Sequence, residues 1–267
     1  MPDRRAGRAP AIVVRVRWRA LCPWILLGCT ASATDDADGE SGDTHAAEGT
    51  ASGHGSDGGH VDPCTATPTR SGEATYYDFA DGSGNCGFPA TPDDPLVAAM
   101  NHVDYAGSSA CGTCVRVQGP DGSVDVRIVD QCPECPAGDI DLSPGAFERI
   151  APLTAGRVAI TWQVIPCAVE GPVVYHFKDG SNPWWTAVQL RNHRHGIARF
   201  EFSQAGAWVE VPRLDYNYFV QDSGMGEGPL DLRITDVHGV VLEDHAIALV
   251  ADADVPGAAQ FPACDGG

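Results

Sequence analysis

The sequence predicts an all-β protein in which a small barrel is followed by a β-sandwich. Short runs of alternating or β-branched residues recur between residues 73 and 247, each bounded by Gly, Pro or Asp. Helical patterns are few and short, and the cysteine content is typical of exported chains. We therefore expect a disulfide-linked protein built almost wholly from strands.

Residues 1–28 have the pattern of an export signal. Several arginines precede an apolar run over residues 20–28, which is far too short to span a bilayer. The run ends in Leu26-Leu27-Gly28-Cys29, which resembles a bacterial lipobox. In a lipobox the cysteine is diacylated and becomes the first residue of the mature protein. We expect the chain to be either secreted or held at the cell surface through a lipid on Cys29, with no other membrane contact.

Residues 29–62 are predicted to be a disordered acidic spacer. From residue 30 onward this segment is rich in Gly, Ser, Ala, Thr and Asp, and it contains no aromatic residue, Leu or Ile. Such a composition buries too little apolar surface to offset the entropy of the chain. His45, His54 and His60 are spread among Gly and Ser, so we interpret them as solvated rather than as metal ligands.

The net charge of −19 limits the partners of the chain. Nucleic acids and anionic membrane surfaces would be repelled by the negative electrostatic field of the protein. A neutral polymer is not repelled and is therefore the better candidate for a partner.

The cysteines allow two interpretations. Of ten cysteines, Cys22 and Cys29 belong to the signal, which leaves eight: Cys64, Cys86, Cys111, Cys114, Cys132, Cys135, Cys167 and Cys264. An even number in an exported chain favours disulfides, whose connectivity the sequence leaves open. The two Cys-X-X-Cys pairs, 111/114 and 132/135, also have the spacing of a four-thiolate zinc site. Because export places these thiols in an oxidising compartment, we expect disulfides, and neither metal nor cofactor.

The first domain is predicted over residues 63–166. Its β-type runs are 73–77, 113–117, 123–129 and 158–164, and residues 118–123 carry a hairpin signal. Two helical patterns interrupt the strands, one over 95–101 and one over 143–150. The second begins well, with Ser143 as N-cap and Pro144 in the first helical position. These signals indicate a small barrel with minor helices.

The second domain is predicted over residues 167–264, after a short join at 166–171. Regular runs with turn signals and no helix indicate a β-sandwich. The runs are 173–178, 187–191, 198–202, 208–212, 230–235 and 240–247. Trp208 here and Trp162 in the first domain lie within alternating runs, and we expect both in the core.

The adjacent pair Trp184 and Trp185 is the strongest binding signal. Neighbouring strand residues face opposite sides, so both rings cannot enter one core unless the chain bends, and Pro183 favours a bend. Exposed indoles on a rigid sheet suit stacking on the apolar faces of sugar rings. The alternative interpretation is structural: one tryptophan belongs to the core, and the other covers an edge of the sheet.

Two carboxylates carry the chemistry of the first domain. Asp130 lies where a strand ends, and Asp141 lies just before the predicted helix cap. If both met in one groove, a carboxyl with a raised pKa could act as a general acid on a glycosidic oxygen. The alternative is that both side chains organise backbone amides at a turn and a helix start.

The order of motifs resembles the expansins. In the first domain the motifs are Gly72-Glu73-Ala74-Thr75-Tyr76-Tyr77, Val129-Asp130-Gln131-Cys132-Pro133 and 140–147; in the second they are 175–185, 189–193 and 215–219. The resemblance covers residues 70–262. It implies a six-stranded double-psi β-barrel followed by an Ig-like β-sandwich, the expansin-type carbohydrate-binding module.

The resemblance also implies roles for particular residues. Thr75, Asp130 and Asp141 match the polar groove on which expansin activity depends, with Asp141 in the place of the general acid of related endoglucanases. Trp184, Trp185, Tyr216 and Lys178 match the cellulose-binding platform and a nearby lysine. The chain departs from bacterial relatives at Cys132, where they have a tyrosine, so one groove contact is in doubt and a disulfide could stiffen that loop instead.

The implied function is non-enzymatic loosening of a cell wall. The expected ligand is cellulose or a related β-glucan or xyloglucan, and we expect a monomer.

Two alternative functions stay open. Asp78 lies near the position of the endoglucanase base, which would permit glycoside hydrolysis, although a turn or surface role is the simpler interpretation. Lipoproteins with this barrel also cut peptidoglycan, but the second domain has few basic residues, so we expect only weak peptidoglycan binding.

Overall fold

A computed structural model describes residues 67–78, 81–92 and 95–263. The predictions for the signal, Cys29 and the spacer lie outside these residues, as do Cys64 and Cys264. Each of the described helices has four residues or fewer, and none of them is long and apolar enough to cross a membrane.

The first half of the described chain forms a closed six-stranded barrel with the strand order β1-β5-β2-β4-β3-β6. Two strand pairs, β1 with β5 and β2 with β4, are parallel, and the remaining pairs are antiparallel. The strands are β1 Arg70–Tyr76, β2 Val97–Asn101, β3 Cys114–Gln118, β4 Ser123–Cys132, β5 Ile140–Leu142 and β6 Val158–Ile165.

The barrel closes around an apolar core and one tight backbone crossing. The core includes Ile128, Leu142 and Phe147, all fully buried. At Gly72, an added Cβ would lie 2.2 Å from the carbonyl oxygen of Gly138, so the two chains pass too closely for any side chain. Trp162 lies in this core as predicted, and its indole N–H donates to the same Gly138 carbonyl at 2.7 Å.

One helical prediction for the barrel is wrong and one is confirmed. Residues 97–101 form the buried strand β2 rather than a helix, because the four apolar residues that begin this short run have no periodicity that separates the two states. The helix α2, Pro144–Phe147, begins as predicted with Ser143 accepting from the backbone N–H of Ala146. A second helix, α1, covers His102–Tyr105.

The second half forms two four-stranded antiparallel sheets, with the orders β10-β9-β12-β13 and β11-β8-β7-β14. Together with the barrel they confirm the predicted fold class. The strands are β7 Val174–Phe177, β8 Thr186–Arg191, β9 Ile197–Gln204, β10 Ala207–Glu210, β11 Phe219–Gln221, β12 Leu230–Asp236, β13 Val241–Ile247 and β14 Ala253–Pro256. Their shared core includes Tyr175, Phe200 and Phe202.

The prediction that Trp208 belongs to the core is wrong. Its neighbour Val209 packs against the core, so the alternation of β10 directs Trp208 to the outer face of the sheet. There its ring is half-buried beneath the Arg233 guanidinium, whose central carbon is 4.5 Å from the ring centroid.

Three disulfides link Cys86 to Cys111, Cys114 to Cys167 and Cys132 to Cys135. The disulfide prediction is confirmed for these six cysteines. Because Cys111 and Cys114 bond to different partners outside their own motif, the four thiolates needed for the alternative zinc site are not available.

Side chains at the contact between barrel and sandwich bond to backbone carbonyls. The Tyr105 hydroxyl and the Asn85 side-chain amide of the barrel both donate to the Asp215 carbonyl, at 2.9 and 3.0 Å. In the reverse direction, the Gln189 amide donates to the Cys86 carbonyl at 2.8 Å. Since Tyr105 and Gln189 are buried, these bonds fix the sandwich loop at 214–218 against the barrel.

A buried histidine at this contact predicts a loss of stability in acid. Burial, together with the smaller effect of the nearby Arg213 charge, lowers the pKa of His193 to about 4. The unfolded chain, with an ordinary histidine pKa near 6.5, binds the proton more readily. The free energy of unfolding should therefore fall by up to about 3 kcal/mol as the pH drops from 7 to 4. Urea denaturation at several pH values measures this.

The variant His193→Asn provides the comparison. It keeps a donor for the His195 carbonyl, which the His193 ring contacts at 2.8 Å through Nδ1, but it has no titrating ring. We expect its stability to change less between pH 7 and 4. An equal dependence in both proteins would assign the acid sensitivity to other groups.

Candidate functional site

The predicted groove residues Thr75, Asp141 and Asp130 lie in one row across four neighbouring strands. Thr75 on β1 pairs with Asp141 on β5, Asp141 pairs with Ala99 on β2, and Ala99 pairs with Asp130 on β4. Neighbouring strands lie about 4.8 Å apart, so the two acidic residues are separated by two such spacings with only the small Ala99 between them. The structure therefore brings together the three barrel residues that the sequence singles out.

The environment of Asp141 favours the protonated form of its carboxyl group. Its carboxyl accepts a hydrogen bond from the Thr75 hydroxyl at 2.6 Å. Burial raises its pKa above the ordinary value, and the negative charges of Glu134 and Asp130 add to this, while the Thr75 hydrogen bond and Arg157 act in the opposite direction. Since the first effect is the largest, the protonated form persists to higher pH than in an exposed aspartate.

Asp130, by contrast, binds the backbone of the loops around it. Its Oδ1 accepts the backbone N–H of Asn85 at 2.6 Å and that of Gln131 at 2.8 Å. The chain passes directly over it, since a Cβ on Gly84 would lie 2.5 Å from the Asp130 side chain. Asp130 thus organises backbone amides, as the alternative interpretation held. For Asp141 that alternative is wrong, because the nearby helix start is capped by Ser143.

The loop that follows Asp130 is closed by the Cys132–Cys135 disulfide. A backbone hydrogen bond from Cys135 to the Cys132 carbonyl, 3.3 Å long, makes the same turn. The exposed Glu134 lies at its tip, and its charge acts on Asp141. Asp78 is also exposed, but the carboxylates that raise the pKa of Asp141 are those of Glu134 and Asp130.

The two tryptophans lie on a tight turn before β8. Asn182 and Trp185 form an isolated β-bridge, and the Asn182 side-chain oxygen accepts the backbone N–H of Trp184 at 2.9 Å. A Cβ on Gly224 would lie 2.0 Å from the Pro183 carbonyl oxygen, so a second loop holds this turn from behind. The predicted bend is confirmed, and both rings avoid the sandwich core.

The four predicted platform residues differ in exposure. Trp184 is 73% exposed and Tyr216 is 40% exposed. Trp185 is half-buried and packs on a small cluster of Ala187, Tyr218 and Val220. Tyr218 in turn contacts the Tyr216 ring, at 5.6 Å between centroids, and carries the Lys178 ammonium 5.2 Å from its own centroid. The buried Tyr218 therefore connects the exposed rings, a role that the sequence reasoning missed.

One loop of the barrel connects this aromatic surface to the groove. The backbone N–H of Asn85 bonds to Asp130 in the groove, while its side-chain amide donates to the carbonyl of Asp215, the residue before Tyr216. The aromatic residue Tyr216 and the acidic row are thus attached to opposite sides of one asparagine. No local sequence pattern marked Asn85, because its two partners are far away along the chain.

The barrel alone, and the barrel together with the sandwich, resemble known proteins. Residues 69–162 match the profile of a family described as lytic transglycolase. Expansin-YoaJ of Bacillus subtilis (strain 168) is 35% identical over 200 residues, which cover 72% of this chain and 86% of that protein. Expansin-like protein 2 of Dictyostelium discoideum is 30% identical over 203 residues, covering 72% of this chain and 50% of that protein.

Two solved structures have the same arrangement of strands. The crystal structure of an apo expansin from Clavibacter michiganensis matches with a TM-score of 0.70 at 32% identity, covering 74% of this chain and 100% of that one. A point mutant of the Clavibacter michiganensis protein, in complex with cellohexaose, matches with a TM-score of 0.69 and the same coverage.

Proposed function

This chain belongs to the bacterial expansins, and on that premise we propose that it binds cellulose or a related β-glucan and loosens it without cutting it. The observation that carries the proposal is the connection, through Asn85, between an exposed aromatic surface and a groove that contains the half-buried acid Asp141. Trp184 and Tyr216 offer flat apolar faces to sugar rings, and Asp141 offers a hydrogen-bonding group in the groove of the barrel.

The energetics of binding agree with a neutral glucan as ligand. Each stacked aromatic ring contributes roughly 0.5–1.5 kcal/mol beyond the area it buries. Three rings acting on one polymer would give roughly micromolar affinity after association costs. A neutral polymer is also unaffected by the acidic field of the chain, so this binding should tolerate salt.

The groove favours loosening over hydrolysis because its second acid is engaged elsewhere. Hydrolysis with inversion needs a base about 6.5–9.5 Å from the acid, free to activate water. Asp130 lies near Asp141 but accepts two backbone amides, and Asp78 is exposed to solvent. Asp141 then serves as a hydrogen-bond donor that disturbs contacts between glucan chains.

Reducing-sugar release tests this absence of hydrolysis. We expect the wild-type protein to extend cellulose-rich wall strips under constant load while releasing no reducing sugar from amorphous cellulose or β-glucan. Asp78→Ala should behave identically in both assays. Clear release by the wild type that the variant loses would make Asp78 a catalytic base and the protein a hydrolase.

Peptidoglycan is the second candidate, because the barrel matches the lytic transglycolase profile. The sandwich, however, has few basic residues with which to bind an acidic wall polymer, and Arg233 is already paired with Glu201 at 2.6 Å. We expect weak peptidoglycan binding that salt abolishes, and strong cellulose binding that salt does not affect. Pull-downs on both polymers at low and high salt separate the two candidates.

We further propose that the chain acts outside the cytoplasm. The three described disulfides are compatible with export, and residues 1–29 have the pattern of a signal followed by a lipobox. Mass spectrometry of the mature N-terminus would distinguish a lipid on Cys29 from simple secretion.

A further inference from the structure

Two of the three described disulfides connect distant parts of the chain. Cys86 and Cys111 are 25 residues apart in the sequence, and both are buried in the barrel core. Cys114 and Cys167 are 53 residues apart, and they connect strand β3 to the segment that leads into the sandwich. Closing loops of this length removes much entropy from the unfolded chain, so both disulfides stabilise the fold.

The third disulfide contributes little to stability, because Cys132 and Cys135 are only three positions apart. In the entropic model the stabilisation decreases as the closed loop becomes shorter. The turn is also held without the disulfide. The backbone N–H of Cys135 donates to the Cys132 carbonyl at 3.3 Å, and Cys132 pairs with Asn101 of the neighbouring strand. The fold should therefore persist when this disulfide is opened.

An external thiol can approach this disulfide from solvent. Cys132 is buried, but Cys135 is partly exposed and its neighbours Glu134 and Pro136 are both exposed. Cys114 is partly exposed as well, but it lies within β3, which is paired on both sides by β4 and β6. Because Cys135 lies in a turn after the end of β4, a thiol can reach it without opening a sheet.

The disulfide lies in the connection between the two acidic strands of the groove. Strand β4 carries Asp130 and ends at Cys132, and strand β5 begins at Ile140 and carries Asp141. Glu134 lies inside the ring that the disulfide closes, and its charge acts on Asp141. The redox state of this turn therefore bears on the groove.

We propose that Cys132–Cys135 is a thiol–disulfide exchange site, which an external dithiol reduces while the rest of the protein stays folded and cross-linked. The Cys-X-X-Cys spacing suits exchange, because the two thiols stay close together after reduction and can form the disulfide again. Unlike the two buried or strand-bound disulfides, this one can be opened and closed in the native protein.

The exchange proceeds in two steps. A thiolate of the dithiol attacks Sγ of Cys135, and the bond between the two cysteines breaks with its electron pair leaving on Sγ of Cys132, which takes up a proton. The second thiolate of the reagent then attacks the mixed disulfide, and Cys135 leaves and is protonated in turn. The protein gains two electrons and two protons, and the dithiol is oxidised to a disulfide.

Reduction of the folded protein by dithiothreitol, followed by alkylation and peptide mass spectrometry, tests the proposal. We expect Cys132 and Cys135 to be alkylated at least about tenfold faster than the other two disulfide pairs, with an unchanged circular dichroism spectrum. Dimercaptosuccinate should react more slowly at low salt, because its carboxylates are repelled by Glu134 and by the net charge of the protein. Alkylation of this pair only when the protein unfolds would overturn the proposal.

The double variant Cys132→Ser/Cys135→Ser tests whether the fold depends on the disulfide, and Cys86→Ser/Cys111→Ser is the matched control. We expect the first variant to unfold only slightly below the wild type and the second to unfold at a much lower temperature, because the second opens a longer loop in the core. Equal falls in unfolding temperature would make the short disulfide structural and would overturn the proposal.

The consequence for the groove rests on the proposed function. Burial raises the pKa of Asp141, and the negative charge of Glu134 adds to this. Opening the ring frees Glu134, so the protonated carboxyl should be lost at a lower pH. The pH at which wall extension declines should therefore fall on reduction, and Glu134→Gln in the oxidised protein should show the same shift.

The outcomes separate the exchange site from the proposed function. If the wild type extends no wall strips, the proposed function fails, whereas selective alkylation of Cys132 and Cys135 still supports the exchange site. If the wild type extends wall strips, identical pH profiles for its oxidised and reduced forms would overturn the link between this disulfide and the groove.

Discussion

Replacing Asp141 by Ala is expected to abolish wall extension while leaving cellulose binding within about twofold of the wild type. An asparagine amide would still donate a hydrogen bond, whereas alanine removes the donor together with the carboxyl that accepts from the Thr75 hydroxyl. The aromatic surface, which provides the affinity, is untouched. Extension of wall strips under load and a cellulose-binding isotherm measure the two effects separately.

The dependence of extension on pH follows from the same residue. Because the pKa of Asp141 is raised, the protonated carboxyl is present below that value and is lost as the pH rises through it. Extension should therefore be largest in acid and decline toward neutral pH. The control Asp125→Ala changes an exposed carboxylate on β4 that pairs with Arg116 at 2.7 Å, and it should behave as the wild type does. Full extension by Asp141→Ala would exclude the carboxyl from the mechanism.

Replacing Trp184 by Ala is expected to weaken cellulose binding by tenfold or more, or about 1.4 kcal/mol and above. The ring is 73% exposed, so its loss leaves no cavity and the unfolding temperature should not change. Its large flat face is available to a sugar ring, so we expect Trp184 to make the largest single contribution to cellulose-binding affinity. Adding Tyr216→Ala should reduce binding further.

Trp208→Ala is the matched control for this variant. Trp208 is also a surface tryptophan of the sandwich, but it lies on the other sheet beneath Arg233. We expect it to bind cellulose as the wild type does. Equal losses for Trp184→Ala and Trp208→Ala would show that binding is a general property of exposed indoles rather than of the platform.

Much of the fold could be predicted because local and global signals agree in it. Alternation and turn residues identified six of the eight sandwich strands, missing the short β11 and β14, and Ser143 with Pro144 identified a helix start. The prediction failed over residues 97–101 and at Trp208, where the packing of distant strands decides the outcome. A uniformly apolar segment fits a helix or a buried strand equally well, and only the barrel around it decides.

The site residues could be predicted where their residue types are unusual at that position of a strand or turn. An adjacent Trp pair and two aspartates at strand ends are conspicuous in the sequence. Asn85 and Tyr218 carry no such mark, because their roles depend on partners brought close by folding. The separate roles of Asp130 and Asp141 likewise required the hydrogen bonds to be seen.

A structure with a long cello-oligosaccharide bound tests the central claim most directly. We predict one continuous glucan chain that stacks on Trp184 and Tyr216 and continues past Asn85 into the groove beside Asp141. A sugar chain that touches neither Trp184 nor the barrel groove, or that lies on the sheet bearing Trp208, would contradict it.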